Sequence, residues 1–118
     1  MILADTSVWV DHLKKGNREL TRLLDDALVV MHPWVLGELA LGGVSSRTLG
    51  LLAALPAATS ATEDELLDFI TRERLAGSGI GYVDTQLLAA TRLTSRARLW
   101  TLDSKLKAVA ERLSLVHR

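Results

Sequence analysis

The chain has 118 residues, 48% of them hydrophobic and 24% charged, a length and balance that suit one globular domain with an ordinary apolar core rather than a disordered or fibrous chain. Its 14 Lys and Arg offset its 14 Asp and Glu, which excludes a uniformly basic nucleic-acid coat. With no cysteine, disulfides, thiolate zinc sites and cysteine nucleophiles are excluded as well, and a cytoplasmic location is the expectation.

Ile2 to Ala4 is a short apolar run that stops at Asp5, Thr6 and Ser7, three helix-capping residue types. Val8, Trp9 and Leu13 follow at helical spacing until Gly16, so a strand feeds directly into a helix. No basic segment precedes the opening apolar stretch, and Asp5 interrupts it, so no signal peptide is expected. Asn17 caps a second helix carrying Leu20, Leu23 and Leu24, and Ala27 to Met31 has the β-branched character of a strand. His32 and Pro33 open a third helix, with proline where its missing N–H does no harm, and Gly42 and Gly43 close it. Ser45 or Ser46 caps a short helix to Leu55, Pro56 breaks it, and Ala57 to Ser60 reads as a brief strand. Thr62 with Glu65 forms a capping box for a helix to Leu75. The glycines of Ala76 to Gly81 make a loop before a helix over Tyr82 to Leu93. Leu99 to Leu102 is a strand, Ser104 to Leu113 an amphipathic helix, and Leu115 to His117 an edge strand.

Strands separated by helices predict a single α/β domain with a mainly parallel central sheet flanked by helices, because parallel neighbours need a crossover. The longest apolar run, Leu49 to Ala58, holds Gly50 and Pro56 and falls far short of the roughly 20 residues that span a bilayer. Charge is unevenly spread: Arg92 to Arg118 has seven Lys or Arg against Asp103 and Glu111. That last quarter is where a polyanion is expected to dock.

Four carboxylates stand out because each is the lone charge in an apolar window. Asp5 is alone between Met1 and Val10, Glu38 between Val29 and Ser46, and Asp84 between Gly77 and Thr91, while Asp103 closes the run Leu99 to Leu102. A buried, unpaired carboxylate costs several kcal/mol, so such residues persist when hydrogen-bonded, paired or metal-bound. Asp5 and Asp103 also suit simple N-caps, and Asp84 suits the first turn of its helix. Glu38, mid-helix among Trp34, Val35, Leu39 and Leu41, has no such ordinary role. Two of the four fall at strand ends, where open parallel sheets place their ligand crevice. Brought together they repel unless a cation sits among them, and a hard divalent ion with oxygen ligands resolves that repulsion.

These residues resemble the PIN-domain family of VapC-type toxins. Ile2-Leu3-Ala4-Asp5-Thr6-Ser7-Val8-Trp9 is similar to its opening strand and first acid, Leu36-Gly37-Glu38-Leu39 to its second, Gly81-Tyr82-Val83-Asp84 with Leu88-Ala89-Ala90 to its third, and Trp100-Thr101-Leu102-Asp103 to its fourth. The resemblance implies a metal-dependent endoribonuclease, the toxin of a toxin–antitoxin pair, held by a small antitoxin protein. Four converging carboxylates also suit a guanidinium, so an antitoxin Arg or Lys is expected near them, on a homodimer formed through apolar helix faces.

Magnesium usually keeps several waters, so Asp5, Asp84 and Asp103 are the expected ligands of Mg²⁺ (or Mn²⁺), with Glu38 positioning or deprotonating the attacking water. Ser7 and Thr101 are expected to support the acids, and Arg96, Arg98 and Lys105 to contact the RNA phosphates. Trp9, Trp34 and Trp100 lie in apolar windows and are assigned to core packing. Among rival chemistries, a metal-free histidine mechanism has only His12, His32 and His117 to draw on, and nothing brings two together. Gly77, Gly79 and Gly81 lack the Lys-Ser or Lys-Thr of a phosphate loop. A catalytically silent binding module of the same fold is the alternative from another class, and the presence of all four acids ranks it below the enzyme.

Overall fold

The computed structural model describes residues 1–118. Strand β1 (Ile2–Ala4) is followed by α1 (Thr6–Lys15), α2 (Arg18–Asp25), β2 (Val29–Val30), α3 (Pro33–Leu41), α4 (Ser46–Ala53), α5 (Glu63–Arg72), α6 (Tyr82–Leu93), β3 (Arg98–Trp100) and α7 (Ser104–Arg112). The mixed α/β architecture agrees with the sequence reading.

The sheet has the order β2-β1-β3 and all pairings are parallel. Leu3 faces Val30 on one side and Leu99 on the other. Single parallel bridges extend the sheet outward, Met31 to Ala57 beyond β2 and Leu99 to Val116 beyond β3. The chain thus leaves β1 toward one edge, then crosses back to build the other. Where that reversal occurs, between the carboxyl ends of β1 and β3, a crevice opens. Leu3, Ala4 and Leu99 are fully buried, as expected of strands covered by helices on both faces.

Capping residues set most helix starts. Asn17 accepts from the Leu20 N–H at 3.0 Å to begin α2, Ser45 caps α4, and Thr62 and Glu65 form the reciprocal capping box of α5. His32 caps α3 through its ring, whose Nδ1 accepts from the Trp34 N–H at 3.0 Å. Helix α6 matches its expected span.

The edges differ from expectation. Ala57–Ser60 does not become a strand, because side chains take over its backbone groups after the Ala57 bridge. Thr94 Oγ1 accepts from the Thr59 N–H at 2.9 Å, and the Gln86 amide both accepts from and donates to the Ala61 backbone at 2.8 and 3.0 Å. Helix α5 stops at Arg72 rather than Leu75, since Arg74 turns left-handed at φ +54°. The segment Leu115–His117 contributes one bridge only. No helix is long and apolar enough to cross a membrane.

Candidate active site

Three of the four acids serve helix N-termini, and each does so with one carboxylate oxygen. Asp5, directly after β1, caps α1 by accepting from the Val8 N–H through Oδ1 at 3.3 Å. Asp103 caps α7 by accepting from the Lys105 N–H through Oδ1 at 3.0 Å. Asp84, in the first turn of α6, accepts from the Gly81 N–H through Oδ2 at 3.2 Å. The capping role and the site role are therefore compatible. The positive ends of three helices point at the same acids and offset part of their mutual repulsion.

Asp5 is the buried centre, 5% exposed. Ser7 Oγ donates to its Oδ1, and Thr101 Oγ1 donates to its Oδ2 at 2.5 Å. Those two hydroxyls knit the crevice together, because the Leu102 N–H donates to Ser7 Oγ at 3.0 Å and the Asp103 N–H to Thr101 Oγ1 at 3.0 Å. Burial nevertheless dominates and holds the Asp5 carboxyl above the usual carboxylate range, despite the bonds from Ser7, Thr101 and Val8 that pull it down.

Asp84 is raised too, by burial first, with the Gly81 N–H pulling the other way and the charges of Asp103, Asp5 and Glu38 pushing further up. That three acids act on the fourth places all four in one electrostatic field. Glu38 and Asp103 are exposed, unlike Asp5. The apolar window around Glu38 did not signal burial: Val35 and Leu39 face the core, while Leu41 on the same helix is 92% exposed. No three acidic or histidine side chains lie close enough to grip a metal ion by themselves.

Against this geometry the comparisons decide the family. Over 110 residues the chain is 47% identical to Ribonuclease VapC32 of Mycobacterium tuberculosis, in strain CDC 1551 / Oshkosh and strain ATCC 25618 / H37Rv alike, covering 92% of this chain and 89% of those proteins. The chain belongs to the VapC ribonuclease family. It also superposes on the crystal structure of PAE2754 from Pyrobaculum aerophilum with a TM-score of 0.58 and 16% identity, over 95% of this chain and 85% of that one, a likeness that bears on the fold alone. No protein-family model matches the chain.

For a VapC ribonuclease the expected phosphate-binding residues are unevenly placed. Lys105 opens α7 beside Asp103, and its stem lies across Gly79: a Cβ there would meet Lys105 Cδ at 3.1 Å, on a backbone at φ +85° that already favours glycine. Arg96 and Arg98 are elsewhere. Arg98 pairs with Ile2 at the start of β3, and the Arg96 carbonyl accepts from the Met1 ammonium at 3.0 Å. Both sit at the amino-terminal edge of the sheet, away from the crevice, so the geometry separates the expected trio. The tryptophans all pack on the core, Trp9 sealed within it and Trp34 and Trp100 partly buried against it.

One site residue escaped the sequence reading. Thr6 Oγ1 donates to Glu38 Oε1 at 2.5 Å, joining α1 to α3 and orienting the glutamate. A hydroxyl directly after a capping Asp reads as another cap, and only the contact between the two helices reveals its partner.

Proposed function

We propose that this protein is a metal-dependent endoribonuclease and the toxin of a toxin–antitoxin pair. The observation that carries the reading is the convergence of Asp5, Glu38, Asp84 and Asp103 at the switch point of the sheet, in a chain closely similar to proteins named ribonucleases. Asp5, Asp84 and Asp103 would hold Mg²⁺, or Mn²⁺ in its place. The donors are hard carboxylate oxygens, and a cation would offset the charges of Asp103, Asp5 and Glu38 that add to burial in raising Asp84, which fits such an ion. No three of the acids already lie within gripping distance, so the ion's own waters or a turn of the exposed side chains would complete the coordination.

The bound ion supplies Lewis acidity, which activates water and offsets charge on the phosphate. The chain's own groups do the rest. Glu38, oriented by Thr6, accepts the proton of the attacking water at its carboxylate. Ser7 and Thr101 lock the Asp5 carboxylate, so that its orientation is set before substrate arrives. Lys105 meets the RNA backbone at the mouth of the crevice, while Arg96 and Arg98, at the far edge of the sheet, would meet it only where the strand runs round the sheet.

Control follows from the same charges. An antitoxin segment presenting Arg or Lys would engage the four carboxylates and exclude the ion. The apolar surface of α4, with Leu51 69% exposed, supports a homodimer, and a cytoplasmic location accords with the absence of cysteine. Incubating purified protein with single-stranded RNA and Mg²⁺ or Mn²⁺, with and without EDTA, tests the chemistry. Internal cleavage that EDTA stops is expected; cleavage that survives exhaustive chelation would overturn the metal mechanism.

A further inference from the structure

Trp9 is sealed in the core, but two other aromatic rings reach the surface beside the carboxylates. Trp34 stands four residues before Glu38 on α3, one helical turn or about 6 Å along the same face. Tyr82 opens α6 two residues before Asp84 and is 49% exposed. The two rings meet across the helices, with centroids 5.8 Å apart and planes tilted by 41°. Each ring is thus anchored to an element that carries one of the site acids.

The pair is held from below. His32, fully buried, packs edge-on against Trp34 with ring centroids 5.9 Å apart and planes at 83°. Its Nδ1 also accepts from the Trp34 N–H, and its Nε2 lies 3.0 Å from Ser60 Oγ. A ring fixed this way loses little further freedom when something stacks on it. Around it Pro33, Gly37 and Val83 make an apolar surface that runs up to Glu38.

We propose that Trp34 and Tyr82 form a stacking platform for an unpaired base of the RNA, next to the phosphate that is cut. The proposal rests on the ribonuclease reading. Unpaired RNA bases are bound by aromatic side chains through their flat faces, with affinity that tolerates sequence. A chain whose phosphate lies among the four acids must place a neighbouring base within a few ångströms, and this pair offers flat aromatic faces on the two helices that carry Glu38 and Asp84. Trp34 and Tyr82 therefore select single-stranded over duplex RNA, since a paired base cannot turn onto them.

The test uses the full chain in a Glu38→Gln background, which binds without cutting. Binding of a short fluorescein-labelled single-stranded RNA in Mg²⁺ is read by anisotropy, and a second RNA carrying 2-aminopurine reports stacking by loss of fluorescence. Tyr82→Leu, which keeps apolar area but removes the ring, is expected to raise Kd about tenfold. Tyr82→Phe is expected to bind within about twofold of the parent and to retain the 2-aminopurine quenching that Tyr82→Leu loses. If Leu binds as tightly as Phe and quenching is absent throughout, the platform is overturned and the patch is an apolar docking face for a protein. Wild-type cleavage of the same RNA then leaves the ribonuclease reading standing. Failure of the wild type to cut any RNA with Mg²⁺ or Mn²⁺ overturns both.

Discussion

At the carboxyl ends of β1 and β3 the charged side chains are Asp5, Asp103 and, leaning in from α3 and α6, Glu38 and Asp84, with the cation of Lys105 beside them. At the amino ends of the same strands are the Met1 ammonium, Arg96 and Arg98, with Arg118, Glu111 and the His117–Glu19 pair nearby, so cations are in excess. Strands of three residues separate an acidic pole from a basic one, and a net charge of zero conceals both. The polarity has a local cause on the acidic side, where strand ends run into helix N-termini whose N–H groups demand acceptors. Carboxylates meet that demand and are thereby gathered. Neighbours in sequence are parted by the same geometry: Arg98 is five residues from Asp103 yet lies at the other end of β3.

The sharpest way to break the comparison is to neutralise the acidic pole. Asp84→Asn, Asp103→Asn and Asp5→Asn are each expected to lower RNA cleavage by at least about a hundredfold while the fold persists, measured by a fluorogenic RNA assay beside circular dichroism. For Asp84 the sign of the stability effect is also set. Its raised pKa means the native state holds the proton more tightly than the unfolded chain, so ionisation at neutral pH lowers stability. In chelator, the Tm of Asp84→Asn is therefore expected to stay level or rise by a few degrees; a clear fall would mean that the Gly81 contact outweighs the repulsion.

The next effect separates orienting from binding. Thr6→Val removes the only hydroxyl that donates to Glu38 while keeping the shape of the side chain. A fall in kcat of about tenfold is expected with KM little changed, since a hydrogen bond to a charged group is worth about 1.5–3 kcal/mol. Thr6→Ser should restore most of it. A change confined to KM would place Thr6 in substrate binding instead.

The poles themselves are compared by removing one cation from each. Lys105→Ala is expected to raise KM a few-fold and to reduce the salt slope of RNA binding by about 0.7, one phosphate's share on a single strand. Arg98→Ala should leave both unchanged. Equal effects from the two would mean that RNA runs around the sheet to its far edge.

These contrasts also explain what could be read from the chain alone. Elements whose boundaries depend on local capping were legible: Asn17 began α2, the Thr62–Glu65 box began α5, and α6 spans Tyr82–Leu93. The four acids were legible because each interrupts an apolar stretch. Edge pairing was not, because whether Ala57–Ser60 joins the sheet depends on Gln86 and Thr94, roughly thirty residues away. The place of Arg98 was not legible, because five residues along the chain put it at the opposite end of β3 from Asp103. Trp34 packs against the core as its apolar window implies, but the window could not show that part of the ring also stays open beside Glu38.

The smallest effect concerns His32 on one side and Asp5 with Asp84 on the other, whose titrations oppose each other. Burial lowers the pKa of His32 from its ordinary value near 6.5, so the fold keeps that ring neutral. The unfolded chain takes up the proton first as pH falls, and the stability present above 6.5 is lost progressively on acidification. Asp5 and Asp84 act in the other direction: their pKa values are raised from 3.8, so the stability they contribute is present below that value and is lost as pH rises through the native one. In metal-free protein between about pH 6.5 and 4 the contributions offset one another. Urea unfolding across that range in EDTA should give a shallow pH dependence for the wild type. His32→Asn keeps a cap for α3 but has no ring to titrate, so its stability, lower overall, should rise as pH falls. Asp84→Asn should tilt the opposite way, losing stability on acidification more steeply than the wild type. Parallel curves for all three proteins would show that neither His32 nor Asp84 titrates differently in the fold, and that the repulsion among the four acids is already relieved by solvent.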